Sequence, residues 1–364
     1  MDDYRNVVEI EAAIARLATL NPQLCTLLEL PNKTETADGR ISHALRISTA
    51  PGAGRDTLMV TAGLHACEWG TSEAAVIFAT DVLRAYTEDA GLGYGNKVFA
   101  KEAIRAFVDM RDLVVFPQVN PDGRAYSQEH DLLEVAGWRK NRRLVEGRGS
   151  TAVYGVDVNR NFETAWEFRR LFIDDEAHVS DIPARDDYHG PKPFSEAESR
   201  NVQWLLDKHP TTRWLVDVHG PAESIQYNWG IDETQSDSEG KNFRNQDWDH
   251  QRGKRGDDYA EYRLLADSQL GEALARRMSD AVFAVRQKRW QAGPCFDTLY
   301  AVSGALIDYA YARQWAAPAA APRPPPIHGF VIEHGRTYHP TWPVMAGVVD
   351  EICAALLELC VAIT

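Results

Sequence analysis

Apolar positions along the chain fall into two rhythms that alternate from end to end. Residues 5–20 place Val8, Ile10, Ala13, Ile14 and Leu17 at helical spacing among charges, which predicts an amphipathic helix. Residues 27–30 and 42–48 read as strands around a polar turn at 32–39. The run 56–62 (DTLMVTA) is a further strand, and Thr71-Ser72-Glu73 opens a helix through Tyr86 whose apolar face carries Ala74, Ile77, Phe78, Val82 and Leu83. Residues 113–119 (LVVFPQV) form a nearly continuous apolar run, the mark of a strand covered on both faces, and stop at Asn120-Pro121-Asp122-Gly123, a turn signal. A helix is expected from Ser195 to about Lys208, a strand over 214–218, a long helix over roughly 261–288, a buried strand at 330–332 and a closing helix at 344–361. Strands alternating with helices predict an α/β fold: one domain over 1–364, built on a mixed, mostly parallel twisted sheet with helices on both faces. Ligands in such sheets sit at the carboxyl ends of strands.

Two stretches depart from the rhythm. Residues 221–260 are polar and charged with Tyr227, Trp229 and Trp248 interspersed, and read as an insertion forming a rim or lid. Residues 316–326 (AAPAAAPRPPP) read as an extended connector.

Composition narrows the classes. Of 364 residues, 44% are hydrophobic and 25% charged, enough apolar material for a large core. With 53 acidic against 39 basic residues the net charge is −14, which disfavours nucleic acid and anionic membranes as partners. The five cysteines are widely spaced with no C-x-x-C pair, so neither a zinc ribbon nor a disulfide framework is indicated. The first residues lack a signal-peptide pattern and no apolar run approaches about 18 residues. A cytoplasmic enzyme is the expectation, its oligomeric state unspecified.

Candidate chemistry gathers where the predicted strands end. His65-Ala66-Cys67-Glu68-Trp69 holds the chain's only His-x-x-Glu, just past strand 56–62. An imidazole and a carboxylate three residues apart can close on one metal ion, and a catalytic zinc site needs three protein ligands and an open position. His219 follows the strand 214–218 and is the candidate third ligand, although a lone His there is more often a hydrogen-bonding residue. Glu333 ends the buried strand near 330–332; desolvation there would raise its pKa and suit a general base, with His334 beside it as a rival. Trp138-Arg139-Lys140-Asn141-Arg142-Arg143 is a basic run of the kind that is usually a solvated face. Asn159-Arg160-Asn161 offers a guanidinium and amides suited to a carboxylate, and Tyr300 would by default be a half-buried packing residue.

Together these segments resemble the zinc carboxypeptidases of the A/B type. The matching pieces, in order, are HACEW, NPDG, WRKNRR, GVDVNRNF, GPKPFSE, DVHG, LYAVSGALIDYAY and FVIEHG, spanning roughly residues 55 to 335. The resemblance implies one zinc ion per chain on His65, Glu68 and His219, with Glu333 as the base that activates water. It implies that Arg139 polarises the scissile carbonyl, and that Asn159, Arg160 and Tyr300 hold a terminal carboxylate. Ile307 aligns with the base of the side-chain pocket, which suggests hydrophobic or aromatic C-terminal residues; Asp297 nearby would admit a basic one, and Asp308 is expected to be structural. Cys67 stands where the digestive members carry an Arg that contacts residues upstream of the cleaved bond. The expected substrate is therefore a peptide or acyl amino acid with a free carboxylate. The alternatives are an amidohydrolase of the same family acting on a peptidoglycan stem peptide or N-acyl amino acid, and a catalytically silent binding module.

Overall fold

The computed structural model describes residues 3–32, 35–130, 137–174, 176–316 and 323–364. Eight strands form the main sheet: β1 (Cys25–Glu29), β2 (His43–Ile47), β3 (Thr57–Ala62), β4 (Asp112–Phe116), β5 (Thr212–His219), β6 (Ser224–Tyr227), β7 (Gln291–Pro294) and β8 (His328–Glu333). Their spatial order is β1-β2-β4-β3-β5-β8-β6-β7. The central four, β4, β3, β5 and β8, run parallel, while β2 and β6 flank them antiparallel, so the sheet is mixed around a parallel centre.

The central strands read as unbroken apolar runs because both faces are covered. Leu58, Val60 and Ala62 point into one cluster with Leu113, Val115, Val216, Val218, Phe330 and Ile332. The alternate residues Met59, Val114, Phe116, Leu215 and Val331 point into a second cluster on the other face. The principal helices are α1 (Val7–Leu20), α2 (Trp69–Thr87), α3 (Lys101–Met110), α4 (Pro121–Glu129), α5 (Ala197–Lys208), α6 (Leu265–Arg286), α7 (Leu306–Ala312) and α8 (Trp342–Ala362). Residues of α2, α3, α6 and α8 pack into the first cluster, and those of α5 and α7 into the second. No helix among the described residues is long and apolar enough to cross a membrane.

Two expectations change. The turn signal at Asn120–Gly123 is the start of α4: Asn120 is its N-cap, accepting from Gly123 N at 2.9 Å, and Pro121 occupies the first turn, where its missing N–H costs nothing. The stretch 221–260 is not a peripheral insertion, since it begins with β6, a strand of the main sheet, and carries Trp229, which is fully buried. Sequence reading also passed over α3, whose Ile104, Phe107 and Val108 are buried. Of the connector at 316–326, residues 317–322 lie outside the described residues.

Candidate metal centre and cleft

His219 is the last residue of β5, and its register partner across the sheet is Glu333, the last residue of β8. His65 arrives just beyond β3, in a turn opened by Gly63 at a φ of 70°. A Cβ on Gly63 would lie 2.8 Å from Ser72 Oγ, so both conformation and space require glycine. Asn120 Nδ2 pins the turn by donating to the carbonyls of Leu64 (3.1 Å) and Lys140 (3.2 Å), and Ala66 N donates to Arg139 O (3.0 Å). Glu68 precedes α2 but makes no capping hydrogen bond with its side chain. That carboxylate goes to the histidines instead.

The ligand atoms of His65, Glu68 and His219 lie within 4.8 Å of one another, and all three residues are buried. His65 Nδ1 is 2.8 Å from Glu68 Oε1, His219 Nδ1 is 3.0 Å from Glu68 Oε2, and the two Nδ1 atoms are 3.0 Å apart. Two imidazole nitrogens and a carboxylate converging on one point fit a divalent cation, which can accept both lone pairs at once, and this donor set suits zinc. The outer ring nitrogens face carboxylates, with Asp217 Oδ2 2.6 Å from His219 Nε2 and Asp157 Oδ1 3.3 Å from His65 Nε2. The Asp217 bond fixes the proton on His219 Nε2 and leaves its Nδ1 free to bind, while Asp157 faces His65 Nε2 without a hydrogen bond. Asp217 is itself oriented by Thr61 Oγ1 at 2.7 Å. Burial pushes the Glu68 carboxyl up, but the facing His65 and His219 more than reverse this and hold it well below the usual range. Burial acts likewise on Asp157, and Arg139 and His65 outweigh it.

A cavity of about 200 Å³ opens beside this cluster, and it is lined by the nine residues given metal, catalytic or substrate-binding roles by the resemblance: His65, Glu68, Arg139, Asn159, Arg160, His219, Tyr300, Ile307 and Glu333. Glu333 has no hydrogen-bond partner among the described residues; burial pushes its carboxyl up to about 7, against the pull of His219. His334 points to the other face of the strand and does not line the cavity: a Cβ on Gly220 would meet its ring at 2.9 Å. Arg139 commits Nε to Asp157 Oδ2 at 2.8 Å. Arg160 spends Nε on His178 O (2.6 Å) and Nη1 on Asn159 O (2.8 Å). The Asn159 oxygen accepts from Leu306 N at 2.9 Å, while its amide NH2 lies 3.3 Å from a His219 nitrogen already taken by Asp217. That NH2 is therefore free to serve a ligand. Tyr300 stacks on His178 with ring centroids 3.9 Å apart, and both line a further cavity of about 460 Å³ that shares Arg139 and Arg160 with the first.

The sequence model of the family described as zinc carboxypeptidase matches residues 10–335. The chain belongs to this family. Among relatives, carboxypeptidase A4 of Mus musculus is 26% identical over 308 residues, 85% of this chain and 59% of that protein. Carboxypeptidase B of Astacus astacus is 28% identical over 309 residues, 84% of this chain and 81% of that protein. The chain thus spans about three fifths of the length of the first of these relatives. Two solved structures share the fold. Bovine thrombin-activatable fibrinolysis inhibitor, in complex with tick carboxypeptidase inhibitor, has a TM-score of 0.71 at 17% identity, covering 99% of this chain and 97% of that one. Carboxypeptidase A from Helicoverpa armigera has a TM-score of 0.69 at 22% identity, covering 99% and 75%.

The neighbours of the site clarify the remaining zinc carboxypeptidase motifs. Of the basic run, only Arg139 lines the cavity. Lys140 Nζ donates to Pro183 O and Arg185 O, Arg142 lies 3.6 Å from the Tyr126 ring centroid, and Arg143 pairs with Glu196 at 2.7 Å. Cys67 is buried, and burial followed by the nearby Glu68 pushes its thiol up, so it is a protonated packing residue. Asp308 accepts from Asn228 Nδ2 (3.0 Å) and Gly230 N (3.1 Å), a structural role. Asp297 does not line the cavity. Sequence reading missed Asp217, although an acid two residues before His219 on one strand shares its face and was there to be found. It also missed Asp157, Gln226, Cys295, Val302, Ala305 and Val331, which carry no local signal.

Proposed function

We propose that the protein is a zinc metallocarboxypeptidase that hydrolyses the amide bond to a C-terminal amino acid with a free carboxylate. The observation that carries this reading is the placement of one histidine–glutamate–histidine cluster and the Arg139, Asn159, Arg160 and Tyr300 set on one cavity of about 200 Å³. Zinc, when bound by His65, Glu68 and His219, supplies a Lewis acid and lowers the pKa of coordinated water to about 7. Arg160, the Asn159 amide and the Tyr300 hydroxyl bind the terminal carboxylate by charge-assisted hydrogen bonds. This seats the C-terminal side chain against Ile307 and Val331. Arg139, held by Asp157, donates to the scissile carbonyl oxygen as negative charge develops there. Glu333 takes the proton from the attacking water and returns it to the departing amine nitrogen. Burial at the end of β8 raises the proton affinity of this carboxyl, which suits both transfers.

The test is a panel of N-blocked dipeptides and acyl amino acids with free or amidated C-termini, assayed with metal removed and with zinc restored. Hydrolysis should require zinc and favour the free carboxylate about 100-fold or more, given the loss of a charged hydrogen-bond pair. Equal cleavage of amidated substrates, or full activity without metal, would sink the reading.

A further inference from the structure

We propose that Gln226 sets the C-terminal specificity of this cleft, selecting a side chain with an apolar body and a neutral hydrogen-bonding tip, tyrosine foremost. The inference rests on the proposed carboxypeptidase reading and names its substrate class. Gln226 lies on β6, where Ile225 and Tyr227 point into the apolar cluster under α6 and α8. Strand alternation therefore sends Gln226 to the opposite face, into the cavity. Its register partner is Val331, and Ser224, two residues before it, pairs with Glu333. At about 3.4 Å per residue, the Gln226 backbone lies roughly 7 Å along β6 from the position paired with the base, a separation that a substrate side chain can span.

The rest of that wall is apolar, with Val302, Ala305, Ile307 and Val331. Its lining carboxylates are Glu68 and Glu333 alone, so a basic side chain finds no further anion there. Gln226 is fully buried, its Nε2 donates to Ser224 Oγ at 2.9 Å, and its Oε1 has no hydrogen-bond partner among the described residues. Rotating the amide by half a turn gives Oε1 to the Ser224 hydroxyl and strands the NH2 instead. Either way one end of a buried amide is left unpaired at the cavity wall. A hydroxyl, which both donates and accepts, satisfies either orientation, and so does a substrate amide. An apolar tip would displace any water there without replacing its bonds, so the site penalises it.

The experiment uses the zinc-loaded enzyme and N-blocked dipeptides ending in Tyr, Phe, Gln and Met, with Gln226→Leu alongside the wild type. The wild type should favour Tyr over Phe, and Gln over Met, by about tenfold in kcat/KM, the discrimination of one buried hydrogen bond. In Gln226→Leu both ratios should fall to one or below. A wild-type Tyr/Phe ratio of one or less overturns the proposal even if the variant does not fold. So does a ratio that survives the substitution. If none of the four is hydrolysed, the catalytic reading fails instead. Calorimetric binding of free tyrosine against phenylalanine then decides the pocket, with equal affinities counting against it.

Discussion

The two halves of the cleft handle buried polar groups in opposite ways. On the metal side the protein supplies most of the partners: Glu68 faces both histidines, Asp217 holds His219, and Thr61 holds Asp217, with His65 Nε2 left 3.3 Å from Asp157 without a hydrogen bond among the described residues. On the substrate side groups are left over: among the described residues Gln226 Oε1 takes no hydrogen bond, and the Asn159 NH2 has beside it only a His219 nitrogen that Asp217 already holds. A buried polar atom without a partner costs about 1–3 kcal/mol. On the proposed reading, an ion of fixed chemistry completes the metal side and the substrate completes the other, so that rigidity would belong to the first half and selectivity to the second.

The sharpest way to break this division is Glu333→Gln. The substitution keeps the shape of the strand end but cannot take a proton. Turnover should fall about 10²–10⁴-fold, the contribution of a positioned acid–base group. Zinc content, measured by metal analysis, should stay at that of the wild type, because Glu333 lies outside the three-residue cluster. Loss of the metal with the activity would erase the boundary between the halves.

The converse change is Asp217→Asn. Asparagine can offer His219 Nε2 either an oxygen or an NH2, and the neutral group no longer steadies the imidazole. Metal affinity, read by competition with a chelator, should weaken about 10–100-fold. Gln226→Leu should leave that affinity where it was. If both substitutions shift it alike, the two halves are one unit.

Sequence alone reached the metal side further than the substrate side, and the reason is geometric. Strands apolar on both faces announce themselves as unbroken runs, so the ends of β3, β5 and β8 were visible, and with them His65, Glu68, His219 and Glu333. Parallel neighbours then bring those ends together: Glu333 pairs with His219, and Ala62 pairs with Val218 one residue before it. The substrate wall is assembled from β6, α7 and loops far apart in sequence, and with β6 itself unread, periodicity could neither orient Gln226 nor say what it faces. The basic run shows the same limit. Arg139 and Arg143 are alike in sequence, yet one lines the cavity and the other pairs with Glu196. Stretch 221–260 looked peripheral because its charges hid a four-residue strand.

Glu198 gives the smallest effect but tests the rule that an unpartnered atom marks a ligand. Its Oε1 also lacks a hydrogen bond, yet it does not line the cleft. It sits in α5 behind the Arg139 segment, where Asn141 Nδ2 donates to Glu196 Oε2 (2.8 Å) and Glu198 Oε2 (3.2 Å). Burial, with Glu196 beside it, pushes the Glu198 carboxyl up to about 8. Between its ordinary value and about 8 the folded chain therefore binds a proton that the unfolded chain has lost. Stability from this group is full below that window and falls as pH rises through it. Glu198→Gln mimics the protonated acid at every pH and should remove that slope. Its melting temperature should exceed the wild type's by a few degrees, about 2–4 °C per kcal/mol at most, at pH 9, and match it at pH 4. Catalytic selectivity should not move. A change in substrate preference instead would mean that unpartnered atoms behind the wall shape the cleft as much as those lining it.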